Sequence, residues 1–308
     1  VRLTTHVLGV EFQNPVLLAA GTCGFGMELI DVLDLEALGG FVTKSITLER
    51  RMGNPAPRVA EFDAGMMNSV GLANPGLERA RDEKLPWIAA NVHRAKVLVS
   101  VAGHTVDEYF QLIEGLDPSD GFVGFEVNLS CPNDARRDGV PFALDPDAVT
   151  EIISGCRART ERPISAKLAP NDPMLSETVR RAEEAGVDAI TLVNTLPGLL
   201  LDADSGDPRL GQGPGGVSGP ALRPAGIRAV RDARSATRLP LLGVGGILAP
   251  EDAVAYGRAG ASLVQMGTAT FAAPRAATDV IAGLERWGPR HGVAAWGDLC
   301  SRNDSEVR

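Results

Sequence analysis

Glu126-Val127-Asn128-Leu129-Ser130-Cys131-Pro132-Asn133 closes a strand and opens a turn. Phe122, Val123, Phe125, Val127 and Leu129 are β-formers in near alternation, so the segment enters as a strand. Pro132 cannot donate to a ladder and Asn133 favours turns, so the strand stops there. The chain thereby delivers a thiol between two carboxamides, Asn128 and Asn133, at the C-terminal tip of a strand. A lone cysteine is usually a small buried hydrophobe. Ser130, Pro132 and Asn133 do not belong in a core, which makes Cys131 a candidate reactive group.

Working outward, the same unit recurs. Upstream, Pro15 to Ala20, Phe41 to Ile46 and Lys96 to Val101 are short apolar runs that predict strands one to three. Leucine and isoleucine spacing over Leu29 to Leu38, stopped by Gly39-Gly40, predicts the first helix, and Asp107 to Leu116 another. Downstream, Pro146 to Thr160 predicts a helix with Asp145 as N-cap and proline at its first position. Pro163 to Leu168, Asp188 to Asn194, Pro240 to Gly246 and Ser262 to Gly267 predict strands five to eight. Helices are expected at Leu175 to Glu184, up to Ala236, at Pro250 to Arg258 and from Ala276 to Trp287. Two stretches predict loops: a long one with Pro55, Pro57, Gly65 and Asn68 to Leu72, whose length suggests function, and Gly211 to Pro220. Strand then helix about eight times, without a linker, predicts a single (β/α)8 barrel over 1–308, with a short polar tail at 301–308. A doubly wound open sheet is the rival; the strand count favours the barrel.

With 308 residues and 44% hydrophobic side chains, a large core is within reach. A net charge of −9 disfavours nucleic acid and anionic membrane surfaces as partners. Cys23, Cys131, Cys156 and Cys300 form no CxxC or ferredoxin spacing, and the four histidines no HExxH, so no metal site is expected. No apolar run reaches membrane length and no signal-peptide pattern opens the chain. A soluble, reduced, cytoplasmic protein is the expectation.

Barrel chemistry collects where the strands end. Those tips carry Gly21-Thr22, Lys44-Ser45, Ser100, Asn128 with Cys131, Lys167, Asn194-Thr195, Gly245-Gly246 and Gly267-Thr268. Lysine is rare in apolar strands unless paired, so Lys44 and Lys167 point to a site; the alternative is that each snorkels to the rim. Loops after strands seven and eight often hold a phosphate on backbone N–H groups, which Gly245, Gly246, Gly267 and Gly219 would permit. Gly211-Gln212-Gly213-Pro214-Gly215-Gly216 fits G-x-G-x-x-G, but it follows no strand and contains a proline, so it is set aside as a dinucleotide fingerprint. One monophosphate site without a Rossmann unit suggests a mononucleotide such as FMN.

Asn128 to Asn133, together with Lys44-Ser45, Asn68-Ser69-Val70-Gly71-Leu72, Asn194-Thr195, Gly216 to Pro220 and Gly245-Gly246, resembles the class 1 dihydroorotate dehydrogenases over nearly the whole chain. Cys131 stands where class 2 enzymes use serine, and those enzymes carry an N-terminal extension of which this sequence shows no sign. Asn194 to Gly198 and Gly216 to Pro220 resemble the NAD-linked subclass 1B more than the fumarate-using 1A. The resemblance implies FMN across the barrel mouth, contacted by Thr22, Lys44, Ser45, Ser100, Asn128, Lys167 and Val193. Gly219, Gly245, Gly246, Gly267 and Thr268 would hold its phosphate. Ser100 is a departure, since the family usually has asparagine there; serine keeps a donor but shortens the reach. Lys44, Asn68, Ser69, Val70, Gly71, Leu72, Asn128, Asn133, Asn194 and Thr195 would bind the pyrimidine. Cys131 would take the C5 proton of dihydroorotate while hydride leaves C6. The resemblance also implies a partner subunit carrying FAD and a 2Fe–2S cluster, around a homodimeric core in a heterotetramer. Other FMN barrels acting on pyrimidines are rivals: dihydrouridine synthases would need a basic surface, and dihydropyrimidine dehydrogenases usually have longer chains with cluster cysteines. A non-catalytic mononucleotide sensor is the remaining alternative, disfavoured by Cys131.

Overall fold

In the computed structural model, which describes residues 1–130 and 141–301, eight parallel strands close into a barrel. They are Val16–Leu18, Gly40–Val42, Lys96–Val101, Gly124–Asn128, Ile164–Leu168, Ala189–Leu192, Leu241–Val244 and Leu263–Met266. Neighbours in the barrel follow chain order, and strand eight closes on strand one through Val264 opposite Val16. Helices on the outside and packed side chains within bury both faces of these strands, which is why they read as short continuous apolar runs. The helices start where local chemistry supplies caps. Thr105 accepts from the Glu108 amide before Val106–Leu116, and Asp145 accepts from the Asp147 and Ala148 amides before Pro146–Arg157.

The barrel interior changes character along its axis. At the end where the strands begin, Leu17, Val42, Leu98, Ala189, Leu242 and Leu263 form an apolar cluster. An N-terminal hairpin, Thr5–Val7 with Val10–Phe12, plugs that end with Val7, Leu8 and Phe12. Toward the other end the inward side chains turn polar: Ser100, Glu126, Ser165, Lys167, Thr191 and Gln265, all buried. No helix among the described residues is long and apolar enough to cross a membrane.

Three expectations change. No α-helix forms over Leu29 to Leu38: the segment is a series of turns ending in a 3-10 turn, Leu35–Ala37. Leu33, Leu35 and Leu38 are buried as the spacing predicts, but Ile30 is exposed, and the Asp34 carboxylate takes the Glu36 amide, offering the backbone an alternative to a helix. The two predicted loops are also structured. Val59–Phe62, Gly65–Asn68, Gly215–Ser218 and Leu196–Gly198 pair into an antiparallel four-stranded sheet. Alternation divides its side chains: Val59, Met66 and Asn68 line the cavity described below, while Ala60 and Met67 face the other way and form a small core with Leu210 from outside the sheet. Gly215 and Gly216 therefore belong to an antiparallel strand and not to a dinucleotide turn. The helix from Ala276 runs on to Arg290.

Candidate active site

The barrel's C-terminal mouth opens into a concave cavity walled by both apolar and polar side chains, the usual make-up of a ligand site. Most of the strand tips singled out above meet on its wall. Thr22, Lys44, Ser45, Asn128 and Lys167 line it, as do Val193, Asn194 and Thr195. Asn68, Val70, Gly71 and Leu72 come from the segment carrying the sheet above, and Gly219, Gly245, Gly246, Gly267 and Thr268 from the far end. Two residues do not reach the wall. Ser100 is fully buried behind Ser45, with the two hydroxyl oxygens 2.8 Å apart, so it meets the cavity only through Ser45. The buried Ser69 hydroxyl accepts from Asn54 Nδ2 at 2.9 Å. Cys131 and Asn133 lie outside the described residues.

Amides organise the wall beside strand four. Asn194 Nδ2 reaches Asn128 Oδ1 at 3.3 Å and Ser130 Oγ at 3.0 Å, and Asn128 Nδ2 donates to Ser45 Oγ at 3.4 Å. The buried Tyr109 hydroxyl donates to the Asn128 carbonyl at 2.9 Å, holding the strand tip from outside the barrel. Paired donors and acceptors of this kind match the edge of a planar ring built of amides.

Beneath the amides lies a polar layer that sequence inspection did not assemble. Lys167 Nζ is 3.2 Å from Glu126 Oε1, and both side chains are buried. Glu126 Oε2 accepts from Gln265 Nε2 at 2.8 Å and from the Thr191 hydroxyl at 3.2 Å. Glu126 was visible as a charge in an apolar strand, yet its partners come from strands five, six and eight and meet only when the barrel closes.

At the opposite end, bare backbone forms the cavity wall. Gly246 has φ of +67°, and a Cβ there would stand 2.7 Å from the Gly219 carbonyl oxygen and 2.7 Å from Arg223 Cβ. The loop is clamped from behind. Arg223 pairs with Asp252, whose other oxygen accepts from the Leu248 and Ala249 amides at 2.9 and 3.0 Å. The Tyr256 hydroxyl donates to the Gly245 carbonyl at 2.8 Å. Val59, Met66, Leu222 and Phe271 also line the wall and were not singled out from sequence, and Ser218 was noted only within the Gly216 to Pro220 stretch; Met66 and Ser218 are placed by the pairing of Gly65–Asn68 with Gly215–Ser218.

The model of the family described as dihydroorotate dehydrogenase matches residues 2–287. The chain belongs to the dihydroorotate dehydrogenase family. It is 41% identical, over 96% of its length and 97% of the relative's, to a protein of Pelobacter propionicus named the catalytic subunit of dihydroorotate dehydrogenase B (NAD(+)). It is 42% identical to a protein of that name from Desulforudis audaxviator, over 95% and 94% of the two chains. It is 40% identical, over 96% of each chain, to dihydroorotate dehydrogenase A (fumarate) of Lactiplantibacillus plantarum. Members of the dihydroorotate dehydrogenase family are FMN-dependent oxidoreductases, and the cavity fits that group. Ala19, Ala20, Val193 and Val244 offer apolar wall to a ring, Lys167, Asn128 and Ser45 offer polar contacts, and the glycine wall leaves a phosphate room beside backbone N–H groups.

Proposed function

We propose that this chain is a single FMN-binding barrel domain that oxidises dihydroorotate to orotate, as the catalytic subunit of an NAD-linked enzyme in the cytoplasm. The observation that supports it best is one cavity with amides and two lysines at one end and a glycine wall at the other, in a chain of this family. When bound, FMN supplies the two-electron acceptor for the hydride from the substrate's C6. Lys44 provides positive charge for the substrate carboxylate in a protein of net charge −9. Asn68, Asn128, Asn194 and Thr195, with Asn133, orient the pyrimidine edge. Cys131 takes the C5 proton. Gly219, Gly245, Gly246, Gly267 and Thr268 hold the flavin's phosphate.

The other three cysteines are unsuited to that step. Burial pushes the Cys156 thiol up to about 12 and the Cys300 thiol up to about 11; burial, then the Glu28 charge, also raises Cys23. Thiolate is the reactive form. Brief iodoacetamide treatment near neutral pH should therefore label Cys131 and inactivate the enzyme, with bound orotate protecting it. Peptide mass spectrometry finding label first on Cys23, Cys156 or Cys300 would remove this support.

The acceptor separates two readings, because relatives of both names stand near 40% identity. The NAD-linked reading expects a partner subunit with FAD and a 2Fe–2S cluster, since this chain has neither a dinucleotide fingerprint nor cluster spacing. The isolated chain should reduce a dye with dihydroorotate, reduce NAD negligibly, and reduce NAD once the partner is added. Efficient NAD reduction alone would contradict this, and efficient turnover with fumarate alone would move the chain to the fumarate-linked group.

A further inference from the structure

We infer that Glu126, which does not line the cavity, is a positioning residue that sets the positive charge Lys167 presents to the flavin and so the flavin's redox poise. The inference rests on the FMN reading above.

Glu126 is the third residue of the five-residue strand Gly124–Asn128, with its side chain fully buried. Four barrel strands meet at its carboxylate. Lys167 approaches one oxygen at 3.2 Å from strand five; Thr191 of strand six and Gln265 of strand eight donate to the other. Thr191 Oγ1 is in turn 2.8 Å from Ser165 Oγ. Gln265 turns its N–H toward the carboxylate although its own carbonyl oxygen is then the single buried side-chain polar atom without a partner among the described residues. The arrangement is polarised: Lys167 lines the cavity, and Glu126 lies on the barrel side of it.

A buried ion pair is weak evidence for stability, because desolvation offsets its attraction. The layer below shows that this interior can be filled with leucine, valine and alanine instead. The consequence with a direction is electrostatic. Charges act strongly on one another where water is scarce. Reduction adds negative charge to the flavin, which an ammonium on the cavity wall favours and a carboxylate behind that ammonium opposes. Glu126 therefore moderates Lys167, fixing its position while holding down its field.

The test measures the midpoint potential and FMN content of purified holoprotein. Glu126→Gln keeps the shape, removes the carboxylate charge and should retain FMN. It should shift the reduced-over-oxidised equilibrium about tenfold toward reduced, about +30 mV for a two-electron couple. Lys167→Gln should shift it about tenfold the other way. The double variant leaves no unpaired buried charge and should return close to wild type. Should Glu126→Gln alone fail to fold, the step from Lys167→Gln to the double variant reads the same charge and should be positive. A potential unmoved or lowered by removing Glu126, in proteins loaded with FMN, overturns the inference and leaves the FMN reading standing. Wild-type protein that binds no FMN overturns both. Thermal melting alone would not produce shifts of opposite sign from the two single variants.

Discussion

Cys131→Ala is expected to purify yellow and to be bleached by dihydroorotate about 10²–10⁴-fold more slowly than wild type, the span that a positioned general base supplies. The residue follows directly on the Asn128–Ser130 tip, which Asn194 and Tyr109 hold in place at the cavity wall. Apart from Asn128, which Tyr109 and Asn194 hold, the residues proposed to bind flavin lie on other strands, so truncating one thiol should leave them intact. A free thiol has a pKa of about 8.5 and is only a few per cent thiolate at neutral pH. The base must be deprotonated to work, so the wild-type reduction rate should rise with pH through the Cys131 pKa, and the alanine variant should lose that rise. Stopped-flow flavin reduction across pH measures both. A near-normal rate in the variant would remove Cys131 from the chemistry.

Gly246→Val should yield folded, colourless protein. A side chain at Gly246 meets the Gly219 carbonyl and Arg223 Cβ at 2.7 Å and must adopt a φ of +67° that valine resists. Such strain costs about 1–3 kcal/mol, against a total stability of about 5–15 kcal/mol, so the barrel survives while the glycine wall is displaced. Gly267→Ala provides the contrast. Its Cβ would meet Ala19 Cβ and Thr22 Cγ2 at an ordinary 3.6 Å, so the protein itself tolerates it. Loss of flavin from that variant would show that the ligand needs the space. Absorbance of the purified proteins, with a melting curve for each, decides. Gly246→Val fully loaded with FMN would place the phosphate elsewhere.

The barrel was legible because strands buried on both faces read as apolar runs, and each could be recognised alone. The first helix misled because leucine spacing records burial, which was correct for Leu33, Leu35 and Leu38, while Asp34 and the flanking turns decided the backbone. The sheet over the cavity was not legible. Gly215–Ser218 has two glycines and resembles a loop, and it becomes a strand by pairing with Gly65–Asn68, some 150 residues earlier in the chain. The site divides in the same way. Lys44, Lys167 and the asparagines stood out at strand tips because polar residues there have no core role. Ser100 stood out by the same rule, but its hydroxyl is spent on Ser45. Glu126 gained significance only once Thr191, Lys167 and Gln265 surrounded it.

Whether dihydroorotate delivers its hydride to the flavin of this chain is read by adding it anaerobically to the purified yellow protein with no other acceptor present. The long-wavelength flavin absorbance should disappear as orotate forms in equal amount, one molecule for each FMN. Flavin absorbance that stays unchanged under saturating dihydroorotate would contradict that transfer.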